Sequence, residues 1–458
     1  MKISTNILEN IGNTPMLRVN HIDTGRCQLY LKLENQNPGG SIKDRIALSM
    51  INAAEKNGKI KPGDEIIEAT AGNTGLGLAL VSIMKGYRLT LVIPDKMSQE
   101  KVQRLKAMGV KIIMTRSDVE KGHPEYYQDL AGKIASKTGA WYIDQFNNPA
   151  NPLAHETTTG PEIWDQMNGD LDAVVVGVGS SGTMTGLTSF FKKVKPDMEM
   201  VLADPQGSIL ANYVETGQIS DQAGSWLVEG IGEDFIPSIA DFSMVKKAYS
   251  ISDKESIHAA RNLLVNEGIF AGSSSGTLLS AAIKYCKEQK SAKKVLTLVC
   301  DSGSNYITKM YNDFWMKDHG LSARERFGDL RDFVFRRYQN NEIIALDPDQ
   351  TLRKAYISMK ENGISQLPVV ENDQVVGIVG ESDLLIALES NHSGFNVYIR
   401  DIMTKKVISI SAQATEEELL EILKKDYVAI VETVNGDFYG LITKIDYLTY
   451  LELKQLKS

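Results

Sequence analysis

The sequence predicts an α/β protein: a large domain of parallel sheets covered by helices, followed by a smaller α/β module built from a repeated unit. Three observations predict it. Up to about residue 320, short β-branched runs alternate with longer segments of helical period. Clusters of Gly, Ser and Asn fall directly after several of those runs. Beyond residue 339 the pattern changes to two copies of one helix–strand–turn–strand–helix unit.

The strand-like runs are "RLTLVIP" at 88–94, "VKIIMT" at 110–115, "DAVVVGVG" at 172–179, "MEMVLADP" at 198–205 and "VLTLVCDSG" at 295–303. Strands that alternate with helices build parallel sheets with helices on both faces. Ligands of such sheets bind beyond the carboxyl ends of the strands, and the Gly/Ser/Asn clusters fall there. Residues 319–338 are highly charged and lack strand runs, so they read as a linker with helical pieces. The boundaries that follow are 1–318 for the large domain, 319–338 for the linker and 339–458 for the module, with repeats at about 339–395 and 396–458. Within the module, Gly377 and Asp383 recur as Gly440 and Asp446, and "ENDQ" and "VNGD" predict hairpin turns. A unit of this size cannot bury its own apolar face, which implies a paired, pseudo-symmetric arrangement.

Composition narrows the function. The 458 residues are 42% hydrophobic and 24% charged, ordinary for a globular protein. A net charge of −8 argues against broad attraction to nucleic acid or anionic membranes. No run approaches the ~20 apolar residues of a membrane span, and residues 1–9 lack a signal-peptide core. Cys27, Cys286 and Cys300 stand far apart, which argues against a disulfide framework and for a cytoplasmic location. The six histidines are dispersed, so no metal site is expected.

Four clusters carry chemistry. In "ENQNPGGSIKDRIALSMI", Asn37 to Gly40 form a turn, Ser41 caps the following helix and Asp44 is its partner in a shortened capping box. Lys43 then falls in the first helical turn, where the positive macrodipole lowers its pKa and favours a neutral, nucleophilic amine. An exposed lysine in a well-capped helix is the competing reading. In "EATAGNTGLGLAL", a strand becomes a helix at Thr70 to Thr74, whose backbone N–H groups form a carboxylate-sized cradle. Asn73 adds an amide for a ring oxygen; a glycine-rich tight turn is the alternative. In "VVVGVGSSGTMTG", Gly179, Ser180, Ser181, Gly182 and Thr183 make a phosphate loop, neither the Walker loop nor the dinucleotide fingerprint. In "VLTLVCDSGSNYI", Ser302 offers a neutral hydroxyl to a pyridine nitrogen, which would leave that nitrogen largely unprotonated; an ordinary turn is the alternative.

At these residues the chain resembles the fold-type II pyridoxal-phosphate (PLP) enzymes and, within them, the cystathionine β-synthase and cysteine synthase families. The matching segments are "IGNTPML", "KLENQNPGGSIKDR", "EATAGNTGLGLAL", "QFNNPANPLAH", "GVGSSGTMTG", "EGIGEDFIP", "GIFAGSSSGT" and "CDSGSNY", across roughly residues 5–310. The resemblance implies two parallel-sheet subdomains with Lys43 holding PLP covalently. It implies that Asn73 bonds the cofactor's 3-hydroxyl, that Gly179 to Thr183 hold its phosphate and that Ser302 meets its ring nitrogen. Thr70, Gly72, Asn73, Thr74 and Gln145 would hold the substrate carboxylate. Ala71 stands where serine-using members typically have Ser, beside the substrate's β-carbon, which points to acceptance of O-acetylserine. Glu233 would meet the ammonium of the second substrate.

The implied activity is β-replacement: serine or O-acetylserine condenses with homocysteine to give cystathionine, and cysteine as donor would release hydrogen sulfide. A cysteine synthase using O-acetylserine and sulfide is the alternative enzyme. A sensor of adenosyl nucleotides with weak enzyme activity is the alternative from another class. The C-terminal repeat resembles a Bateman module, which implies an adenosyl ligand at Thr443 and Asp446. The first repeat keeps Asp383 but has Gly380 at the hydroxyl position. Because "IGNTP" begins at Ile11, the heme-binding extension of the animal enzymes has no counterpart and no heme is expected. The family further implies a homodimer or higher homo-oligomer.

Overall fold

The computed structural model describes residues 3–455 except 71, 96, 120–121, 220–223, 324, 391–393 and 426. The chain divides into two compact units, Met1–Tyr311 and Asn312–Ser458.

The first unit holds two sheets. Its strands are β1 (Met16–Arg18), β2 (Gln28–Lys32), β3 (Glu65–Ala69), β4 (Arg88–Pro94), β5 (Lys111–Thr115), β6 (Trp141–Tyr142), β7 (Ala173–Gly177), β8 (Glu199–Pro205), β9 (Val245–Ile251) and β10 (Lys294–Leu298). The larger sheet runs β1-β2-β10-β7-β8-β9 and is parallel except for β1. The smaller runs β5-β4-β3-β6 and is wholly parallel. The expected strands at 88–94, 110–115, 172–179, 198–205 and 295–303 are β4, β5, β7, β8 and β10. Their near-continuous apolar runs follow from burial on both faces: in β7, residues Ala173 to Val176 are all buried.

Five helices position the site: α1 (Lys43–Lys56), α2 (Asn73–Lys85), α3 (Gln99–Ala107), α4 (Gly182–Val194) and α5 (Ser273–Glu288). Helix α1 buries Ile46, Met50 and Ile51 in the core of the smaller sheet with Leu78 and Leu91. Each such side chain contributes roughly 1.5–3 kcal/mol relative to exposure. The start of α1 differs from the expected capping box. Its N-cap is Ile42 with no side-chain cap, and the Ser41 hydroxyl only accepts from the Lys43 N–H at 3.2 Å. The Asp44 carboxylate turns back to the Gly39 N–H at 2.5 Å instead. The Gly39–Gly40 turn folds so closely under Asp44 that a side chain at Gly39 would collide with this carboxylate, and that close approach captures the group a capping box would need.

In the second unit, β11 (Gln366–Glu371) and β12 (Gln374–Gly380) form an antiparallel hairpin. Its turn residues Asn372 and Asp373 have φ of 51° and 62°, the left-handed pair of a type I′ turn. Strands β13 (Ile408–Ser411), β14 (Ala429–Glu432) and β15 (Phe438–Ile442) form a second sheet. The segment expected as a linker, 319–338, falls within this unit. Leu330, Phe333 and Val334 join the core formed by Leu419, Val431 and Ile442, and the Phe333 ring lies 3.9 Å from that of Tyr450. The surrounding charges mask this apolar minority in the sequence. Among the described residues no helix is long and apolar enough to cross a membrane.

Candidate active site

Within the first unit, a cavity of about 350 Å³ is lined by Lys43, Thr70, Gly72, Asn73, Thr74, Gln145, Gly179 to Thr183, and Glu233. Arg116, Tyr126, Tyr127, Glu229, Asp234 and Ser274, which the sequence did not single out, line it as well. Ala71 lies outside the described residues.

Lys43 enters from the first turn of α1. Burial pushes its amine below the usual lysine range, while Cys300, Asp301 and Glu233 pull the other way. Desolvation disfavours an ammonium, so the amine is biased toward its neutral, nucleophilic form. The cause with the largest effect is therefore burial, where the sequence pointed to the helix dipole.

The loop between β3 and α2 forms one wall. The Gly72 N–H donates to Thr70 Oγ1 at 3.1 Å, and the Thr74 hydroxyl donates to Gln145 Oε1 at 2.8 Å. Gln145 is buried and its amide donates to the Ala69 carbonyl at 3.3 Å. With these side chains paired to one another, the donors left for an anion are backbone N–H groups at the start of α2.

The loop between β7 and α4 forms the opposite wall. Ser181 has φ 67°, a left-handed conformation that fans successive N–H groups toward one point. A Cβ at Gly179 would lie 2.7 Å from the Gly230 carbonyl oxygen, and one at Gly182 would overlap Asn151. Asn151 donates to Ser180 Oγ at 3.0 Å, and His155 Nε2 lies 3.3 Å from Thr183 Oγ1. Burial holds the His155 imidazole well below its ordinary pKa, hence neutral. The sequence reading quoted "QFNNPANPLAH" yet gave Asn151 and His155 no role; their spacing of four, one helical turn, is the signal it passed over.

Ser302, expected at a pyridine nitrogen, is absent from the cavity lining. Its hydroxyl lies 2.9 Å from Ser304 Oγ and accepts from the Ser304 N–H at 3.3 Å, capping the short turn Gly303–Tyr306. Its backbone pairs antiparallel with Ala271. Ser274, in the first turn of α5, is buried and lines the cavity, with its hydroxyl against the Cys300 thiol. Glycine followed by three serines at a helix start, in "AGSSSG", was the available signal.

Glu233 lines the same cavity as Lys43 and raises the pKa of the wall tyrosines, after burial for Tyr127 and after burial and Asp234 for Tyr126. In the second unit, Asp446 accepts from the Thr443 hydroxyl at 2.6 Å and its N–H at 2.8 Å, and Asp383 accepts from the Gly380 N–H at 2.8 Å. Both carboxylates therefore cap a helix, Lys444–Gln455 and Glu381–Ser390 respectively.

A desolvated lysine amine beside a glycine-rich anion cradle, at the carboxyl ends of parallel strands, defines an enzyme built around a cofactor bearing an aldehyde and a phosphate. Lys43 and the cradle at Gly179 to Thr183 fit such a group without displacement of backbone.

Comparison with known proteins agrees. Residues 7–301 match the family of pyridoxal-phosphate dependent enzymes, and residues 335–390 and 399–453 match the CBS domain. The chain is 37% identical to cystathionine beta-synthase of Dictyostelium discoideum, over 100% of this chain and 94% of that protein. It is 34% identical to the Apis mellifera cystathionine beta-synthase, over 98% and 91%. A hydrogen sulfide-producing enzyme from Fusobacterium nucleatum superposes with a TM-score of 0.61 at 34% identity, covering 66% of this chain and 100% of that one. O-ureido-L-serine synthase gives 0.63 at 31% identity, covering 71% and 98%. The chain belongs to the cystathionine β-synthase family of PLP-dependent enzymes. It is a PLP-dependent lyase with two CBS domains.

Proposed function

We propose that the enzyme condenses serine or O-acetylserine with homocysteine to give cystathionine. The observation that carries this reading is the arrangement around Lys43: a phosphate cradle on one wall, a carboxylate cradle on the other, and Glu233 raising the pKa of the amine.

Lys43 would hold PLP covalently, Gly179 to Thr183 its phosphate, Asn73 its ring oxygen and Ser274 its ring nitrogen. When bound, PLP supplies an electron sink for the charge left on the donor's Cα. The first turn of α2, with Thr70, Thr74 and Gln145 behind it, holds the donor carboxylate and aims the Cα–H at Lys43. The Lys43 amine takes that proton as general base, because burial leaves it neutral, and returns it when the product forms. A neutral Ser274 hydroxyl places no carboxylate at the ring nitrogen, so that nitrogen stays largely unprotonated. Glu233 pairs with the ammonium of homocysteine, which sulfide lacks. Ala71 brings no hydroxyl to a serine leaving group, so O-acetylserine is used at least as well as serine. Cysteine as donor releases hydrogen sulfide by the same route. Thr443 and Asp446 take an adenosyl ligand, and the enzyme works in the cytoplasm as a homodimer or higher oligomer.

The test is a product assay with PLP. O-acetylserine or serine is supplied with homocysteine and sulfide in competition. Cystathionine as the dominant product is expected. Cysteine as the dominant product would overturn the reading in favour of a cysteine synthase.

A further inference from the structure

Two hydrogen-bond chains converge beside Asn73, their direction set by groups able only to donate, and the first runs through Asn73 itself. In one, Arg104 Nη1 donates to Asn305 Oδ1 at 2.8 Å. A guanidinium has no acceptor, so this bond fixes which end of the Asn305 amide is oxygen. Asn305 Nδ2 then faces Asn73 Oδ1 at 3.5 Å, and Asn73 Nδ2 donates to Asp301 Oδ2 at 2.7 Å. In the other, Lys101 Nζ, itself buried, donates to the Tyr306 oxygen at 3.1 Å. The Tyr306 proton is thereby directed to the same Asp301 oxygen, at 2.6 Å.

Both chains end on Asp301. Asp301 Oδ2 already accepts from the Tyr306 hydroxyl as well as from Asn73, so the Asn73 amide cannot turn over without facing one acceptor with another. A buried mismatch of that kind is unfavourable. Asn73 therefore has one N–H committed to Asp301, its oxygen turned to Asn305, and a second N–H left for the cavity it lines.

We infer that Asp301 is a positioning residue for the cofactor: it locks the Asn73 amide as a hydrogen-bond donor toward the cavity, so that the ring oxygen there is held deprotonated. This rests on the proposal that Asn73 faces that oxygen. Asp301 is not among the residues that line the cavity. Beside its direct pull on the Lys43 amine, its effect on the ring oxygen passes through the polarity of the Asn73 amide, with Arg104 and Lys101 setting the direction from outside.

The test is the absorption spectrum of folded holoenzyme, with release of cofactor on dialysis as a second readout. Asp301→Asn substitutes an amide that both donates and accepts, so Asn73 is free to present either face. The expected result is a shift from the long-wavelength cofactor band toward the short-wavelength band of the oxygen-protonated form, with cofactor release faster by about tenfold. Arg104→Met, at a half-buried position remote from the cofactor, is expected to shift the bands the same way by less. It keeps the test open if Asp301→Asn folds poorly. A purely structural role would lower thermal stability and leave the band ratio of the folded fraction unmoved, which would overturn the inference. Asn73→Ala separates the two layers. If it shifts the bands while Asp301→Asn and Arg104→Met do not, only the positioning role fails. If Asn73→Ala itself leaves the bands unchanged, the placement of Asn73 at the ring oxygen fails, and the inference with it.

Discussion

The buried imidazole of His155 stands 3.3 Å from the Thr183 hydroxyl, with its other nitrogen 2.9 Å from Thr159 Oγ1. Thr183 belongs to the loop proposed to hold the cofactor phosphate, so a neutral imidazole supports an anion cradle from behind. Its pKa lies well below the free value of 6.5, with burial the main cause. The sign follows from linkage. Below pH 6.5 the unfolded chain binds a proton that the native state refuses, so stability falls as pH drops, by up to about 1.4 kcal/mol per unit. His155→Asn is expected to flatten the decline in thermal stability below pH 6.5 and to weaken phosphate retention several-fold. Thermal scans across pH and cofactor release together check it; an unchanged acid limb would refute the linkage.

Glu68 carries the opposite sign. It is buried at the end of β3, and its carboxyl is pushed up to about 8, chiefly by desolvation and then by Asp144. Between the free value of 4.5 and about 8 the native state holds a proton that the unfolded state has released. That contribution is fully present below the lower value and is lost as pH rises through the window. Glu68→Gln keeps the neutral shape and removes the titration. The expected outcome is a higher Tm at pH 8 than the parent, by a few degrees, with little difference at pH 5. Equal Tm differences at both pH values would show that Glu68 does not titrate in this range.

Ser274 and Ser302 are separated by a comparison of the two alanine variants. Ser274 lines the cavity, whereas Ser302 is committed to Ser304. Ser274→Ala is expected to lower kcat/KM by about tenfold or more and to perturb the cofactor spectrum, the scale of one lost hydrogen bond. Ser302→Ala should cost at most about 1 kcal/mol of stability through its lost turn cap and leave the spectrum alone. Steady-state kinetics and spectra of both variants decide it, and the reverse pattern would restore Ser302 to the ring nitrogen.

The Ser302 case shows where one-dimensional reading stops. Both serines sit in glycine-containing turns that look alike along the chain. Which of them lines the cavity follows from the tertiary fold, in which Ala271 and Ser302 pair antiparallel, a contact that no local pattern encodes. Lys43 and the Gly179–Thr183 loop were legible because their function needs local chemistry: glycines that admit backbone, and a helix start that follows at once. The bond from Asn73 to Asp301 joins residues 228 apart, and that from Lys101 to Glu229 residues 128 apart. Separations of that size carry no periodicity to read. The strands of the first unit were legible for a different reason: burial on both faces leaves apolar runs that solvent-exposed strands would not have. The 319–338 segment read as a linker because its buried residues, Leu321, Leu330 and the run Phe333–Phe335, are flanked by charges.

Glu233 supplies the test of acceptor choice. Its carboxylate lines the cavity and raises the pKa of the Lys43 amine, and homocysteine offers an ammonium where sulfide offers none. A charge-assisted bond to that ammonium contributes roughly 1.5–3 kcal/mol, equivalent to about ten- to a hundredfold in binding. Glu233→Ala is therefore expected to raise the KM for homocysteine by at least about tenfold while the KM for sulfide stays within about twofold. Glu233→Gln, which keeps size and one acceptor, should fall between the two. A general loss in both reactions would instead mean that Glu233 serves the Lys43 amine, whose pKa it raises, and the loss would then appear as a displaced basic limb in the pH profile of kcat/KM. Measuring both acceptors over pH with the same preparation distinguishes recognition of the second substrate from tuning of the base.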